Sequence, residues 1–597
     1  MKIRISDYIS NFLVKKNFSH IFGITGGGAM HLNDSFGKNK KLDFIFFHHE
    51  QSASMAAESY FRKKNKPCVL HTTSGPGATN AITGVTGAWI DSIPMFVISG
   101  QVPRSDMINK TKTRQIGVQE INIIDLVKPI TKFAQTIDDP NKIDLYLNKA
   151  FNMMLDKKPG PVWLDVPLDI QSKIIDTNLI KNYKPKKKRN QNTENFLPLL
   201  NYISKAQRPI IIAGNGIHIS KTEETFKKIN KKLKIPVISS WNASDIFNSN
   251  DELYVGRMGI FGDRPSNFAV ENSDLLIVIG SRLSIPQTGY KTKEFAYNSK
   301  KIIIDIDKAE LRKNKFSNVV LKYEIDLVIF MKLLNNMIKN KKIKKFNQWT
   351  KLINRWKKKY PVMEKKYVNQ KKDINSFHFI DCLSKNLKGN ETIVTDMGTS
   401  FTCTMQGFKV KNSNEQRLFT SSGLASMGFG VPGAIGAYFG GKNQNVICIT
   451  GDGGLMFNIQ ELQTISQYKI PMKIFIIENE GYLTMKLMQK KNFNRFVGSN
   501  KVSGISFPSF EAIGKVFNFK YFKLKKNIME KQIKKIISIQ EPVLIEVNMP
   551  PNQQLIPRIQ NKLLSNGSFF TPKLDDLYPF LSKKELEIER DLAKKIK

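Results

Sequence analysis

Two polar segments in the second half of the chain follow apolar segments, and their residue types could bind a metal and a phosphate. Gly451-Asp452-Gly453 comes after the apolar run 446–450, and Glu478-Asn479 comes after the apolar run 474–477. Residues 458–468 between them have apolar side chains at helical spacing, so we expect a β-helix-β unit. In a parallel sheet, the carboxyl ends of neighbouring strands lie side by side at the edge where ligands bind.

The side chains expected at this edge suit a hard cation. An Asp carboxylate and an Asn carbonyl are oxygen ligands of the kind that Mg²⁺ prefers, and glycines allow the backbone to approach a phosphate closely. Asp452 and Asn479 therefore predict a diphosphate that is bound through Mg²⁺. Gly451-Asp452-Gly453 alone is also compatible with a simple strand-to-helix turn, but the downstream Asn479 favours the ligand site.

A carboxylate also follows an apolar segment near the N terminus. Residues 44–47 are apolar and lead through two histidines to Glu50, and small residues at 52–54 and 56–57 predict a helix after it. We therefore expect Glu50 to lie half in the core at a sheet edge. Considered alone, Glu50 is also compatible with a helix cap or an ion pair.

Together these segments resemble the acetolactate synthase group of thiamine-diphosphate-dependent enzymes. Further similar segments follow in the family's order at 72–80, 91–94, 99–103 and 421–432, so that the resemblance covers residues 1 to about 550. The family places the domains that contain Glu50 and Asp452 on different subunits. The resemblance therefore implies a homodimer or homotetramer, and it leaves a regulatory subunit open.

The resemblance assigns ligand roles to individual residues. As Mg²⁺ ligands it implies Asp452, Asn479 and the backbone carbonyl of Gly481. As residues that bind thiamine diphosphate it implies Glu50, Ala425, Met427, Gly451, Asp452, Gly453, Gly454, Asn479, Gly481 and Tyr482.

Three of these residues would act on the organic part of the cofactor. By the resemblance, Glu50 hydrogen-bonds N1′ of the thiamine pyrimidine and takes part in the proton transfer that activates the cofactor. Met427 would lie between the two rings of the cofactor and fix its bent shape. The carbonyl of Ala425 would accept a hydrogen bond from the 4′-amino group.

Gln119 and Gly28 complete the implied catalytic set. Gln119 matches a Gln that normally faces the substrate, and Gly28 ends a glycine turn after an apolar segment, as in the family. Glu478 stands where acetolactate synthases usually have Asn, a departure that keeps the ligand Asn479. Two further positions depart, because Val118 stands where Phe is usual and Met488 where Trp is usual. These departures leave the acceptor open.

The resemblance implies decarboxylation of a 2-oxo acid, with pyruvate as the expected donor, and transfer of the acyl unit to a carbonyl acceptor. Acetolactate synthesis of this kind belongs to branched-chain amino acid biosynthesis. One alternative is acetyl transfer to a keto sugar nucleotide in surface-polysaccharide synthesis, since residues 26–33 resemble that branch. A simple 2-oxo acid decarboxylase and a non-catalytic homologue are the remaining alternatives.

The middle of the chain resembles a domain that holds FAD in some relatives. The similar segments are 256–259, 280–283 and 304–307. The glycine pattern typical of dinucleotide-binding turns is absent, and many relatives have this domain without flavin. FAD binding and a purely structural role therefore both stay open.

Alternating strand-like and helix-like segments predict the α/β class, with three doubly wound parallel-sheet domains. The expected bounds are 1–175 for the pyrimidine-binding domain, 190–340 for the central domain and 370–550 for the domain that binds diphosphate and Mg²⁺. We expect the polar tail 551–597 to wrap the surface or cover the active site. Two lysine-rich stretches, 184–189 and 339–372, are interpreted as linkers.

Composition narrows the partners and the compartment. The net charge of +42 over 597 residues could suggest nucleic acid, but the excess is mostly Lys spread along the chain, which favours solvated faces and small-molecule partners. There is no apolar run of about 18 residues or more, so we expect no membrane span. The four scattered cysteines and the absence of an apolar signal core near residue 1 predict a cytoplasmic protein.

Overall fold

The structure is a computed structural model. It describes residues 2–108, 111–181, 183, 195–313, 315–370, 372–441, 445–563 and 567–596. Three six-stranded parallel sheets with helices around them form three successive α/β domains, which confirms the predicted fold class. The lysine-rich stretch 184–189, interpreted as a linker, lies outside the described residues.

The N-terminal sheet contains six parallel strands, in spatial order Asp43–Phe46, His20–Gly23, Val69–Thr72, Phe96–Gln101, Val162–Pro167 and Phe133–Thr136. The α-helices of this domain are Ile5–Lys15, Met30–Lys38, Glu50–Lys64, Pro76–Asn80, Ile82–Ile90, Ile123–Val127, Ile143–Leu155 and Leu168–Ser172. A short antiparallel pair, Lys2–Arg4 with Ile174–Asp176, joins the two ends of the domain.

The central sheet has the spatial order Tyr254–Arg257, Val237–Ser239, Pro209–Ala213, Leu275–Ile279, Lys300–Asp305 and Val319–Glu324. The α-helices that surround it are Leu197–Lys205, Gly216–Ile219, Glu223–Leu233, Arg264–Glu271, Ile285–Thr288, Lys308–Arg312, Leu327–Ile338 and Asn347–Lys359.

The C-terminal sheet has the spatial order Arg417–Phe419, Thr392–Thr395, Val446–Gly451, Lys473–Glu478, Val543–Asn548 and Lys520–Lys523. The α-helices of this domain are Lys365–Val368, Ser376–Asn386, Thr399–Gly407, Gly430–Gly440, Asp452–Phe457, Glu461–Gln467, Leu483–Phe493, Phe510–Val516 and Met529–Ser538. The segment predicted as one helix at 458–468 thus follows a separate short helix that begins at Asp452 itself.

The strand order differs between the domains in a way that locates their ligand edges. With strands numbered along the chain within each domain, the first and third domains have the order 2-1-3-4-6-5, whereas the central domain has the order 3-2-1-4-5-6. Ligands of open α/β sheets bind beyond the carboxyl ends of the strands, where the order reverses. In the central domain this point lies between Pro209–Ala213 and Leu275–Ile279.

The first and third domains touch through two helices that are rich in small residues. A Cβ added to Gly436 would lie 2.0 Å from the carbonyl oxygen of Ala56, so Glu50–Lys64 and Gly430–Gly440 meet backbone to backbone. This close contact explains why the helix after Glu50 contains the small side chains that the sequence shows.

The interpretation of 339–372 as a linker is wrong for its middle part, because Asn347–Lys359 is a helix of the central domain. Its Trp349 and Trp356 are fully buried, while Lys351, Lys358 and Lys359 are exposed. The last helix of the tail, Lys583–Lys594, packs against it, and Glu589 accepts a hydrogen bond from the indole nitrogen of Trp356 at 2.9 Å. The tail thus covers part of the central domain.

Two further features bear on the sequence-based expectations. All four cysteines are buried and free of disulfide bonds. Among the helices of the described ranges, none is both long enough and apolar enough to cross a bilayer.

Candidate active site

Gly28, Glu50 and Gln119 converge on one turn, residues 73–77, which follows the strand Val69–Thr72. A Cβ added to Gly28 would lie 2.4 Å from Ser74 Oγ, and one added to Gly75 would lie 2.4 Å from the carbonyl oxygen of Gln119. The structure therefore brings the three predicted catalytic residues to the same carboxyl edge of the N-terminal sheet.

Glu50 is the first residue of its helix and is only 8% exposed. Asn80 Nδ2 donates to its Oε2 at 3.0 Å, and a Cβ added to Gly77 would lie 3.1 Å from its Oε1. One carboxylate oxygen is thus held by an amide, and glycine at position 77 leaves room beside the other. This is a fixed carboxylate that can exchange a proton with a ligand at the sheet edge.

Gln119 lies on a loop that Glu120 holds together. Glu120 Oε2 accepts hydrogen bonds from the backbone nitrogens of Ile116 at 2.9 Å and Gly117 at 3.3 Å. Gln119 itself has φ of +63°, an unfavourable backbone conformation for a residue other than Gly. The neighbouring Val118 is 86% exposed, so the loop presents both side chains outward.

The predicted metal ligands form a compact loop in the C-terminal domain. Asp452 Oδ1 accepts from Gly453 N at 2.7 Å, and Asp452 Oδ2 accepts from Asn479 N at 3.1 Å and Gly481 N at 3.0 Å. Asp452 is 2% exposed. Burial raises its pKa, whereas the three backbone donors lower it.

The side chain of Asn479 fits a cation. It is 2% exposed, and its Nδ2 donates to Thr399 Oγ1 at 3.4 Å, but its Oδ1 is buried and has no hydrogen-bond partner among the described residues. A buried acceptor that is left unsatisfied costs about 1–3 kcal/mol, so a ligand that fills it is favoured. The described residues hold no cluster of three His, Cys, Asp or Glu suited to a metal. In the predicted ligand set of Asp452, Asn479 and the Gly481 carbonyl, Asp452 is the single carboxylate.

Glu478, where the family usually has Asn, stabilises the same loop. Its Oε1 accepts from Glu480 N at 3.0 Å and its Oε2 from Asn548 Nδ2 at 2.9 Å. Both carboxylate oxygens are therefore already bonded within the domain. Glu478 supports the loop and does not replace Asp452 as the predicted ligand.

Two of the predicted glycines are required by close neighbours. A Cβ added to Gly453 would lie 2.2 Å from the ring of Tyr482, and one added to Gly454 would lie 2.8 Å from Asp396 Oδ2. Gly481 has φ of +127°, a conformation that side chains disfavour. The Gly451-Asp452-Gly453 turn and the Asn479 loop thus interlock.

Lys486 holds this loop from its far side. Its ammonium group donates to the carbonyl oxygens of Asn479 at 2.7 Å and Glu480 at 3.3 Å, and the residue is only 5% exposed. Burial lowers its pKa, and the carboxylates of Asp452, Glu480 and Glu478 raise it. Lys486 therefore orients the backbone that carries Asn479 and Gly481.

Replacing Lys486 with Met should weaken Mg²⁺ binding in the presence of thiamine diphosphate by about 10–100-fold, the usual cost of losing a residue that orients a metal ligand. Calorimetric titration with Mg²⁺ measures this. The matched control is Lys490→Met on the same helix, because Lys490 is exposed and its ammonium group donates to Asn494 Oδ1. Equal Mg²⁺ affinity in both variants would contradict the role of Lys486.

The segment that contains Ala425 and Met427 is held at Gly428 from both sides. Asp396 Oδ1 accepts from Gly428 N at 3.0 Å, and Asn458 Nδ2 donates to the Gly428 carbonyl at 2.8 Å. Ala425 has φ of +61°, so the backbone turns sharply just before Met427, which is partly buried. A held backbone and a turned carbonyl suit the roles predicted for these residues.

The sequence analysis missed Asp396 and Thr399. Asp396 follows the strand Thr392–Thr395, and Thr399 opens a helix beside Asn479, after Gly398 with φ of +83°. Helix N-terminal amides favour anions, so this helix start is a further candidate contact for a diphosphate. A weaker signal was present, because Asp396 directly follows a strand, as Asp452 does, and Gly398 stands two residues later.

A cavity of about 600 Å³ lies at the switch point of the central sheet. Of the segments predicted to hold FAD, Gly280, Arg282 and Asp305 line it, whereas Arg257 instead donates to the carbonyl of Phe408 at 2.9 Å. Burial raises the pKa of Asp305 to about 6. The cavity also reaches the other two domains, through Asp91 and Ser422.

Three family models match the chain in the order of its domains. They describe the N-terminal TPP-binding domain of thiamine pyrophosphate enzymes at residues 3–125, the central domain at 198–330 and the C-terminal TPP-binding domain at 396–547. Each match contains the sheet of the corresponding domain or most of it.

The chain is also similar over nearly its whole length to curated proteins. It is 32% identical to the acetolactate synthase large subunit of Porphyra purpurea over 92% of both chains. It is 32% identical to that of Lactococcus lactis subsp. lactis, over 93% of this chain and 95% of the relative. It is 34% identical to the probable acetolactate synthase large subunit of Methanococcus aeolicus, over 90% of each.

Proposed function

The chain belongs to the thiamine-diphosphate-dependent enzymes of the acetolactate synthase large-subunit type, and from this we propose that it decarboxylates a 2-oxo acid and transfers the acyl unit to a carbonyl acceptor. Pyruvate is the proposed donor. The observation that carries the proposal is the buried, unpartnered Oδ1 of Asn479 beside Asp452, because it supports a metal that fixes the cofactor's diphosphate.

In this proposal the C-terminal domain binds the charged part of the cofactor. Asp452, Asn479 and the carbonyl of Gly481 hold Mg²⁺. The backbone of Gly453 and Gly454, which packs closely against Tyr482 and Asp396, contacts the diphosphate. Ala425 and Met427 contact the organic rings. When bound, thiamine diphosphate acts as an electron sink for the charge that remains after CO₂ leaves the 2-oxo acid.

Glu50 contributes the proton chemistry. Its carboxyl group, held by Asn80, shares a proton with N1′ of the cofactor's pyrimidine. Gln119 lies on the loop whose backbone passes next to Gly75, and it faces the substrate at the same edge of the sheet. The N-terminal domain thus activates the cofactor and orients the donor, while the C-terminal domain fixes its position.

The acceptor is proposed to be pyruvate, with a keto sugar nucleotide as the second candidate. The observation that favours the second is the size of two side chains: Val118 and Met488 replace aromatic residues of the family and are 86% and 46% exposed. Smaller or more flexible side chains at these positions leave more room for a bulky acceptor.

The proposal is tested by incubating the protein with ¹³C-labelled pyruvate, thiamine diphosphate and Mg²⁺, followed by mass spectrometry of the products. Labelled acetolactate supports pyruvate as the acceptor, and an acetyl adduct formed only with an added keto sugar nucleotide supports the second candidate. Acetaldehyde alone identifies a simple decarboxylase. Absence of labelled CO₂ with pyruvate and with other 2-oxo acids contradicts the proposed reaction.

We further propose that the active site forms between two copies of the chain. Among the described residues, Glu50 hydrogen-bonds within the N-terminal domain and Asp452 within the C-terminal domain. Exposed apolar side chains in the segments that follow Asn479 along the chain, including Phe493 at 69% and Val502 at 97%, suit a subunit contact. Co-expression of the inactive Glu50→Gln and Asp452→Ala chains should restore activity, since a mixed dimer has one site in which both residues are intact. Complete inactivity of the co-expressed chains contradicts a shared site.

The central cavity supports FAD as a second cofactor. The order 3-2-1-4-5-6 is that of dinucleotide-binding sheets, and the cavity lies at its switch point with an Asp at the end of the fifth strand. Asp305→Asn should lower FAD affinity about tenfold, because the Asp305 carboxylate lines the cavity and can accept hydrogen bonds from ribose hydroxyls. Flavin fluorescence titration measures the FAD affinity. The control is Asp326→Asn, because Asp326 also lines the cavity. Undetectable FAD binding by the unchanged protein contradicts FAD as a cofactor.

The names of the relatives refer to large subunits, and we propose that a separate regulatory chain and a cytoplasmic location also apply to this protein. Co-purification from its native cells tests the first, and fractionation of those cells tests the second.

A further inference from the structure

A buried ionic network lies where the three domains meet. Arg62 Nη2 donates to Glu58 Oε1 at 2.6 Å and to Asp91 Oδ2 at 2.6 Å, and the three side chains are at most 3% exposed. All three residues belong to the N-terminal domain. Hydrogen bonds between charged groups are about twice as strong as neutral ones, so this network holds Asp91 firmly in place.

Asp91 connects this network to the other two domains. Its Oδ2 accepts from the backbone nitrogen of Ser422 at 2.9 Å and from Ser422 Oγ at 3.0 Å. Its Oδ1 accepts from Arg282 Nη2 of the central domain at 3.3 Å. One carboxylate therefore joins all three domains.

The segment that Asp91 holds leads directly to the predicted cofactor contacts. A Cβ added to Gly423 would lie 2.5 Å from Asp91 Oδ1, so the backbone passes Asp91 without spare room. Ala425 and Met427 follow, and Asp396 and Asn458 hold the segment again at Gly428. Residues 422–428 thus run between two fixed points, with Asp91 at the first.

We propose that Asp91 is a positioning residue for thiamine diphosphate: it fixes residues 422–424 so that the Ala425 carbonyl and the Met427 side chain meet the organic rings of the cofactor. This inference rests on the proposed function. It predicts a selective effect, because the hydrogen bonds that hold the Asp452 and Asn479 loop, the proposed diphosphate site, do not involve Asp91.

The test compares two probes, thiamine diphosphate and inorganic pyrophosphate. Each probe is titrated into the full chain in the presence of Mg²⁺, and its Kd is measured by calorimetry. Asp91→Asn should raise the Kd for thiamine diphosphate about tenfold and leave that for pyrophosphate unchanged, since only the first probe has rings. The milder Ser422→Ala, which keeps the backbone bond, should raise the first Kd about threefold. The control is Asp165→Asn, because Asp165 is equally buried and bonds to Ser99 and Gln101.

A selective loss in Asp91→Asn and Ser422→Ala, absent from Asp165→Asn, supports the inference. Equal affinity of Asp91→Asn and the unchanged protein for thiamine diphosphate overturns it, as does a parallel loss for both probes. If Asp91→Asn does not fold, as judged by circular dichroism, Ser422→Ala decides by the same criteria. Failure of the unchanged protein to bind thiamine diphosphate would instead overturn the proposed function.

Discussion

Replacing Glu50 with Gln is expected to lower kcat by about 10²–10⁴-fold, the contribution typical of a positioned acid-base group. The amide keeps the size of the side chain and the hydrogen bond that Asn80 donates at 3.0 Å, but it cannot exchange a proton with N1′ of the cofactor. Steady-state turnover of pyruvate, with thiamine diphosphate and Mg²⁺ at saturating concentration, measures the loss.

The affinity of this variant for the cofactor separates chemistry from binding. Because the proposed site for Mg²⁺ and diphosphate lies in the C-terminal domain, the Kd for thiamine diphosphate should stay within about threefold of the original, the effect of at most one weak hydrogen bond. Glu50→Ala should lose as much turnover as Glu50→Gln. Full turnover in either variant would show that Glu50 is not part of the proton transfer.

Replacing Asp452 with Ala is expected to abolish Mg²⁺-dependent binding of thiamine diphosphate. The change removes the single carboxylate of the predicted ligand set and also the acceptor of the three backbone donors Gly453, Asn479 and Gly481. Both the charge that attracts the metal and the shape of the loop are lost. We expect the Kd to rise by at least about 100-fold, the upper end of losses seen when ligand geometry fails.

Glu478→Gln is the matched control for Asp452→Ala. Glu478 lies at the end of the neighbouring strand, but its two carboxylate oxygens are bonded to Glu480 N and Asn548 Nδ2. Its loss of charge should change Mg²⁺ affinity by less than about tenfold. Unchanged cofactor affinity in Asp452→Ala would contradict the metal assignment. A larger loss of Mg²⁺ affinity in Glu478→Gln than in Asp452→Ala would show that Glu478, and not Asp452, is the carboxylate ligand.

The three sheets, and the positions of Asp452 and Asn479 at the edge of one of them, were predictable from the sequence for a physical reason. Strands covered on both faces must be apolar throughout, so Val446–Gly451 and Lys473–Glu478 are visible as apolar runs. A polar residue within about three positions of the end of such a run is expected at the sheet edge. That rule located Asp452, Asn479 and Glu50 without any knowledge of their contacts.

Other features depend on contacts that no local pattern reveals. The helix Asn347–Lys359 has so many lysines that its buried face is visible only once Trp349 and Trp356 are seen against the central domain. Asp91 meets Ser422 across more than half the chain. Likewise, the free Oδ1 of Asn479 is a property of its surroundings.

The identical strand order of the first and third domains has an evolutionary consequence. Two domains of one chain that share the order 2-1-3-4-6-5 are what duplication of one ancestral unit would leave. Equivalent strand ends have then diverged: after the third strand, one copy has Ser74 and Gly75 where the other has Asp452 and Gly453. In the proposed function, one copy contacts the organic rings of the cofactor, and the other supplies the oxygen atoms for the cation.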